Sequence, residues 1–204
     1  MKMKTEIKVI GLCGVAQSGK DTFCDAARRL FLEQDIIARR LSFADALKSD
    51  TDEFLQDKVG VSAFTTDLKE KTLIRDFLVA YGTKLMRKKD ENCWIKKVES
   101  QVKRNMRNDE VTIITDVRYP NELDWVQNTL KGKCLHLSRT APDGKIVAPA
   151  NQEEKIYDPL LKKQCNHSLT WLTTIDQDVL DWIVRDELDS LFETPARLDR
   201  CKYE

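Results

Sequence analysis

Apolar residues fill positions 7–13 almost without a break, and over 18–34 the side chains of Phe23, Ala26, Ala27, Leu30 and Phe31 recur on one helical stripe. A switch from strand-like to helix-like periodicity across a glycine-bounded loop predicts the opening half of a βαβ unit. A second strand is expected within 36–43, although Arg39 and Arg40 interrupt its apolar character, and a helix from Ala44 onward, because Pro and Gly are scarce as far as Val59. Leu68, Leu73, Phe77, Leu78, Tyr81 and Leu85 give 67–88 a long helical pattern interrupted at Gly82. Trp94, Ile95, Val98, Val102 and Met106 mark another helix over 92–106. The β-branched run 111–115 reads as a strand ending at Asp116, followed by a helix over 121–130 and a strand over 133–138.

Beyond that strand the alternation fades. Pro142, Gly144 and Pro149 punctuate polar residues at 139–150, which read as a loop or irregular insertion. Residues 151–163 suit a short helix with a break at Asp158-Pro159. Leu172, Ile175, Val179, Ile183, Leu188 and Leu191 place an amphipathic helix at 171–192, with a tail over 195–204. Together these elements predict one α/β domain over 1–204, three-layered with a mainly parallel sheet, a helical region at 44–108 and a candidate lid at 139–165.

The sharpest local signal is Gly14-Val15-Ala16-Gln17-Ser18-Gly19-Lys20, a GxxxxGK motif placed directly after a strand and directly before a helix. Glycines let the backbone wrap phosphates, successive N–H groups point inward, and the start of the helix adds partial positive charge. Lys20 is then expected to reach the β- and γ-phosphates of ATP and to offset charge as the γ-group departs. The usual Ser or Thr after the lysine, which holds Mg2+, is replaced by Asp21, followed by Thr22. Asp21 approaching the ion through water and Thr22 taking part in the helix start are both open.

Composition narrows the partners. Lys plus Arg and Asp plus Glu both total 34, which leaves no global attraction for a nucleic-acid polymer or an anionic membrane. With 41% hydrophobic and 33% charged residues the chain reads as globular, no stretch has the apolar length of a membrane span, and a cytoplasmic location is expected. The six cysteines are scattered without a CxxC pair, which favours reduced thiols over a disulfide scaffold or a structural zinc site. His136 and His167 lack metal-ligand spacing, and Trp94 and Trp125 lie in helical patterns; all four are assigned structural roles.

Asp116, at the carboxyl end of a predicted parallel strand, is placed to face the crevice that holds Lys20, where it could keep a magnesium-bound water or orient an acceptor phosphate. A salt bridge to Arg118 and a turn before Pro120 are the structural alternatives. Arg75, Arg87 and Arg118 are candidate phosphate clamps, since a guanidinium grips two oxygens in fixed geometry. For Arg75 and Arg87 to share a ligand, Gly82 must bend the chain. Arg139 opens the irregular segment and is a candidate to close over the triphosphate.

In these motifs the chain resembles the bacteriophage deoxynucleoside monophosphate kinases, a branch of the phosphate-loop kinases. The resemblance rests on Gly14 to Thr22 with its GKDT ending, on Ser42-Phe43-Ala44-Asp45-Ala46-Leu47-Lys48, on Arg75 followed by Gly82-Thr83 and Arg87, and on Thr115-Asp116-Val117-Arg118-Tyr119-Pro120-Asn121-Glu122. It implies transfer of phosphate from ATP, with Mg2+, to a deoxynucleoside monophosphate, by a fold similar to those of adenylate and thymidylate kinases. It further implies an acceptor side built from Phe43, Lys48, Arg75, Gly82, Thr83 and Arg87 and a catalytic floor of Asp116 with Arg118; a monomer or homodimer is expected. Asn166 resembles an asparagine that precedes the final helical region of these kinases. Val79 stands where the resemblance calls for a base-reading glutamine, so base preference does not transfer. The rival readings are a kinase for another phosphorylated metabolite, such as phosphomevalonate or dephospho-coenzyme A, and a binding protein switched by ATP.

Overall fold

A computed structural model describes residues 7–172 and 176–192; the expected tail and Cys201 lie outside the described residues. Five parallel strands form one sheet in the order β2-β3-β1-β4-β5. They are β1 (Val9–Cys13), β2 (Ala38–Leu41), β3 (Val111–Ile114), β4 (Lys133–Thr140) and β5 (His167–Leu172). β1 pairs with both β3 and β4, so the loop leaving its carboxyl end emerges at the middle of the sheet. Parallel strands covered on both faces are continuously apolar, and the residues of β1 and β3 are all buried.

Two cores flank the sheet. On one face Phe23, Ala27 and Phe31 of α1 (Lys20–Leu32) meet Val184, Leu188 and Leu191 of α7 (Gln177–Phe192) over Ile10, Leu12 and Leu135. On the other, α2 (Phe43–Val59), α4 (Cys93–Arg107), α5 (Pro120–Asp124) and α6 (Gln152–Gln164) bury Phe43, Trp94, Val98, Leu123 and Leu161. A satellite cluster of Leu55, Val61, Ala63 and Ile74 joins α2 to α3 (Leu68–Val79) within the helical region expected at 44–108. This is the three-layer α/β arrangement expected. Arg39 and Arg40 fit because β2 is an edge strand whose exposed residues form ion pairs, Arg39 with Glu110 and Arg40 with Asp45.

Four local expectations change. The helix expected to break at Gly82 continues, as the π-helical segment Ala80–Arg87. Leu47 packs so closely that a methyl at Gly82 would lie 2.1 Å from its Cδ1, and the indole N–H of Trp94 donates to the Gly82 carbonyl at 3.3 Å. A π-helical segment, Trp125–Thr129, likewise follows α5. α6 runs through Pro159 without a break, although an interior proline costs about 3 kcal/mol, because Leu161 and the Asp158–His136 contact seat it on the sheet. Trp171 and Leu172 end an edge strand instead of opening a helix, and α7 begins only at Gln177. β4 extends to Thr140, so Arg139 and Thr140 pair with Trp171 and Leu172 and belong to the sheet, not to the irregular segment. Among the described residues no helix is long and apolar enough to cross a membrane, and the five cysteines are all free thiols.

Candidate active site

The turn after β1 is held in a shape that only glycine permits at two points. Gly14 and Gly19 have φ of +128° and +92°. A methyl at Gly14 would lie 2.3 Å from the Leu137 carbonyl oxygen, and one at Gly19 would lie 2.4 Å from the Trp171 ring. The Trp171 indole also donates to the Ser18 carbonyl at 2.9 Å, so β4 and β5 clamp the loop from behind. Gly19 is the N-cap of α1 and has no side chain with which to cap it, leaving the helix dipole and first-turn N–H groups for an outside anion. A polyphosphate fits this cradle.

Lys20 opens α1 and is buried. Its Nζ donates to the carbonyls of Gly14 at 2.8 Å and Val15 at 2.6 Å, and to Ser18 Oγ at 3.3 Å. Burial, reinforced by the charge of Arg118, brings its pKa down to about 8, against the pull of Glu154, Asp116 and Asp21. Asp21 lies in the same first turn with a side chain 76% exposed, 3.4 Å from Arg40, and Thr22 is exposed beside it. The Asp21 carboxylate is therefore open to solvent at the start of α1, apart from its contact with Arg40.

Asp116 sits just past β3, as expected, and lies in a turn ahead of Pro120, but it forms no salt bridge with Arg118, which pairs with Glu154 instead. Oδ1 accepts from the Phe43 N–H at 2.8 Å, and Oδ2 accepts from the Ala44 N–H at 2.8 Å and the Ser42 hydroxyl at 2.9 Å. It caps α2 from a distant strand, satisfying N–H groups that a helix start leaves unpaired. Those three bonds take up most of the acceptor capacity of its carboxylate, which favours contact with magnesium through a bound water over direct ligation. Among the described residues no group of three or more His, Cys, Asp or Glu side chains could hold a metal.

The arginines separate. Arg118 donates to Glu154 at 3.0 Å. Arg87 pairs with Glu122, and its guanidinium lies 3.8 Å from the centre of the Tyr119 ring. Arg75 is exposed on α3 and has no hydrogen-bond or ion-pair partner among the described residues, so no shared contact joins it to Arg87. Arg139 is half-buried in β4, and its Nε is buried with no hydrogen-bond partner among the described residues. Phe43 is buried against Trp125 with ring centroids 6.2 Å apart, which makes it core packing instead of an acceptor-facing ring. Gly82 is buried beneath Leu47, so its role is close packing. Lys48 lies over the Phe64 ring at 5.6 Å, and Thr83 is half-buried near the Tyr119 hydroxyl. Asn166 ties strands together, its Oδ1 accepting from the Cys134 N–H at 2.8 Å.

Three acidic residues that the sequence did not single out organise this end of the sheet. Glu122, 1% exposed, accepts from Arg87 and from the main-chain N–H groups of Arg118 at 2.7 Å and Tyr119 at 3.1 Å. Burial raises its pKa and the Arg87 guanidinium opposes the rise; with those three donors converging on it, it serves as a carboxylate. Glu153 accepts from the Tyr119 hydroxyl at 2.6 Å, and burial together with that carboxylate keeps the phenol protonated. Glu154 Oε1 accepts from Arg118 and from the Ala16 N–H of the loop at 3.1 Å. The E of the PNE triplet is the one sequence signal for Glu122; Asn151 three residues before Glu154 marks a helix start, but the partners that tie Glu154 to the site, Arg118 and Ala16, are 36 and 138 residues away.

Comparison with known proteins bears on this site directly. The family model described as phosphomevalonate kinase matches residues 12–132, more than half of the chain and the whole span from the loop to Glu122. The chain belongs to the phosphomevalonate kinase family. It is thus a kinase of the phosphate-loop type, and the resemblance to bacteriophage deoxynucleoside monophosphate kinases holds at that level. Among solved structures, shikimate kinase from Acinetobacter baumannii in complex with shikimate is 12% identical, with 91% of this chain and 93% of that one covered and a TM-score of 0.44. The APS kinase of Mycobacterium tuberculosis in complex with AMPPNP and APS is 12% identical, with 92% and 98% covered and a TM-score of 0.42. TT1252 from Thermus thermophilus is 14% identical, with 92% and 99% covered and a TM-score of 0.46. No curated protein matches the chain significantly.

Proposed function

We propose that this kinase transfers the γ-phosphoryl group of ATP to the phosphate of a small phosphomonoester, and that the acceptor is a deoxynucleoside 5′-monophosphate. One observation carries the reading: a single oxygen of Glu154 lies 3.1 Å from a loop N–H and 3.0 Å from Arg118. The donor cradle and a guanidinium are therefore close enough for one anion to touch both, which is the spacing that phosphate-to-phosphate transfer needs.

In this mechanism an acceptor phosphate oxygen attacks the γ-phosphorus as the bond to the β-phosphate oxygen breaks. The attacking oxygen is already anionic near neutral pH, so no protein base is required, and alignment with charge compensation supplies the catalysis. Lys20 turns from the loop carbonyls to the β- and γ-phosphates. Arg118 and Arg87 hold the acceptor phosphate, and Arg139, with its unpartnered Nε, faces the charge that develops on the transferred group. Asp21 would hold the magnesium ion, which spreads charge between the phosphates. Asp116 acts by fixing α2 beside the loop. Lys48, Arg75 and Thr83 are the remaining acceptor-side candidates.

The aromatic row of the helical region favours a nucleoside. Phe54 and Phe77 stack at 5.5 Å with planes 19° apart, and Phe77 and Tyr81 at 6.1 Å and 18°. Phe54 is 51% exposed and Tyr81 lies on the segment that carries Thr83 and Arg87. Flat apolar faces suit a base better than a short aliphatic acid. The second reading, phosphomevalonate as acceptor, is favoured by the family match itself. Mass-spectrometric identification of products formed from ATP with the four deoxynucleoside monophosphates and with phosphomevalonate separates the two. A diphosphate of at least one nucleotide is expected, and product from phosphomevalonate alone would replace the first reading by the second.

A further inference from the structure

The phosphate loop of this chain already holds an anion of its own. Glu154 lies in the first turn of α6, 8% exposed, where Asn151 Oδ1 accepts from its N–H at 2.9 Å. Besides Ala16 and Arg118 it takes one further donor, the Ala150 N–H, which gives to Oε2 at 2.8 Å. A carboxylate that collects a loop N–H and a guanidinium uses the same donors as a phosphate oxygen. The charges are alike, so the two cannot share the position.

We propose that Glu154 is a built-in competitor for the phosphate site, displaced with the first turn of α6 when nucleotide enters, and that its departure releases Arg118 for the acceptor. This rests on the reading of the loop as an ATP site. The geometry allows the movement. Glu154 and Glu153 attach the first turn through hydrogen bonds, whereas Tyr157 against the Tyr119 ring, Leu161 and the Asp158–His136 contact at 2.9 Å anchor the rest of the helix. The preceding residues 141–150 form a loop with a single bridge, between Thr140 and Ile146. An order of binding follows: until nucleotide has entered, Arg118 is occupied, so nucleotide binds first and acceptor second.

Calorimetric titration of Mg-ATP into the full-length protein tests this, with Glu154→Gln and Lys20→Ala alongside the wild type. Removing the competing charge is expected to tighten ATP binding on the order of tenfold, since the wild type must first populate the displaced state. Hydrogen exchange of the main-chain N–H groups at 150–156 is expected to quicken when ATP binds to the wild type. Unchanged or weaker affinity in a folded Glu154→Gln protein, with Lys20→Ala binding lost, would overturn the competitor while leaving the loop intact as the ATP site. Slower exchange at 150–156 would overturn it equally. No heat with any of the three proteins would remove the ATP site and this proposal together. Should Glu154→Gln fail to fold, Glu154→Asp, which withdraws the carboxylate by one methylene, is expected to tighten binding too, and no gain there counts against the proposal.

Discussion

Lys20 combines a buried position with a charge that the proposed reaction needs. Lowering its pKa from 10.5 to about 8 means that the charged form costs on the order of 3 kcal/mol at neutral pH. The sign follows from proton counts: between pH 8 and 10.5 the unfolded chain binds more protons at this residue, so its contribution favours folding as pH rises through that window and the benefit is lost as pH falls through 8. Phosphates restore the charged form. ATP binding is therefore expected to take up a proton above pH 8 and close to none at pH 6.5, which calorimetry in buffers of differing ionisation enthalpy measures; equal uptake at both would contradict a depressed lysine. Lys20→Ala should lower turnover by about a hundredfold or more through lost charge compensation, and near-normal rates in a coupled ADP-release assay would refute that role. Lys20 was legible because its motif is contiguous. Glu122 and Glu154 were not, because the partners that tie them to the site, Arg87 for Glu122 and Ala16 with Arg118 for Glu154, lie 35 to 138 residues away and leave no spacing to read. Asp116 was half legible: strand-end placement is visible in an apolar run, whereas the helix start that it caps lies 72 to 74 residues away.

Among elements, α2 and the π-helical segment after α3 set the acceptor side. Asp116→Ala would leave the Phe43 and Ala44 N–H groups and the Ser42 hydroxyl without their acceptor, and the melting midpoint should fall by an amount equivalent to about 2–4 kcal/mol. A midpoint unchanged within error would show that solvent satisfies them as well. Gly82→Ala would press a methyl against Leu47, an overpacking cost of about 1–3 kcal/mol readable in the same melt. Periodicity found most elements because α1, α4 and β3 each bury one regular pattern. It missed β5, an edge strand on which Trp171 is the one buried residue and which carries too little apolar alternation to stand out. It also broke α6 at Pro159, where tertiary seating outweighs local propensity.

At the scale of the molecule, the order β2-β3-β1-β4-β5 brings together at the carboxyl ends of the three central strands what the chain separates: the loop after β1, Asp116 to Glu122 after β3, and Arg139 at the end of β4. A βαβ opening implied a parallel sheet and hence a crevice at the strand ends, so the general location of the site could be anticipated. The lid limits could not, because Arg139 belongs to a strand that periodicity ended at Ser138. The central claim is that phosphate moves from ATP to another phosphate held across this crevice. Incubation with γ-32P-labelled ATP, magnesium and each candidate monophosphate tests it most directly. Label appearing in an acceptor diphosphate is the expected result. Label found only in inorganic phosphate, or retained in ATP with every acceptor, would contradict it.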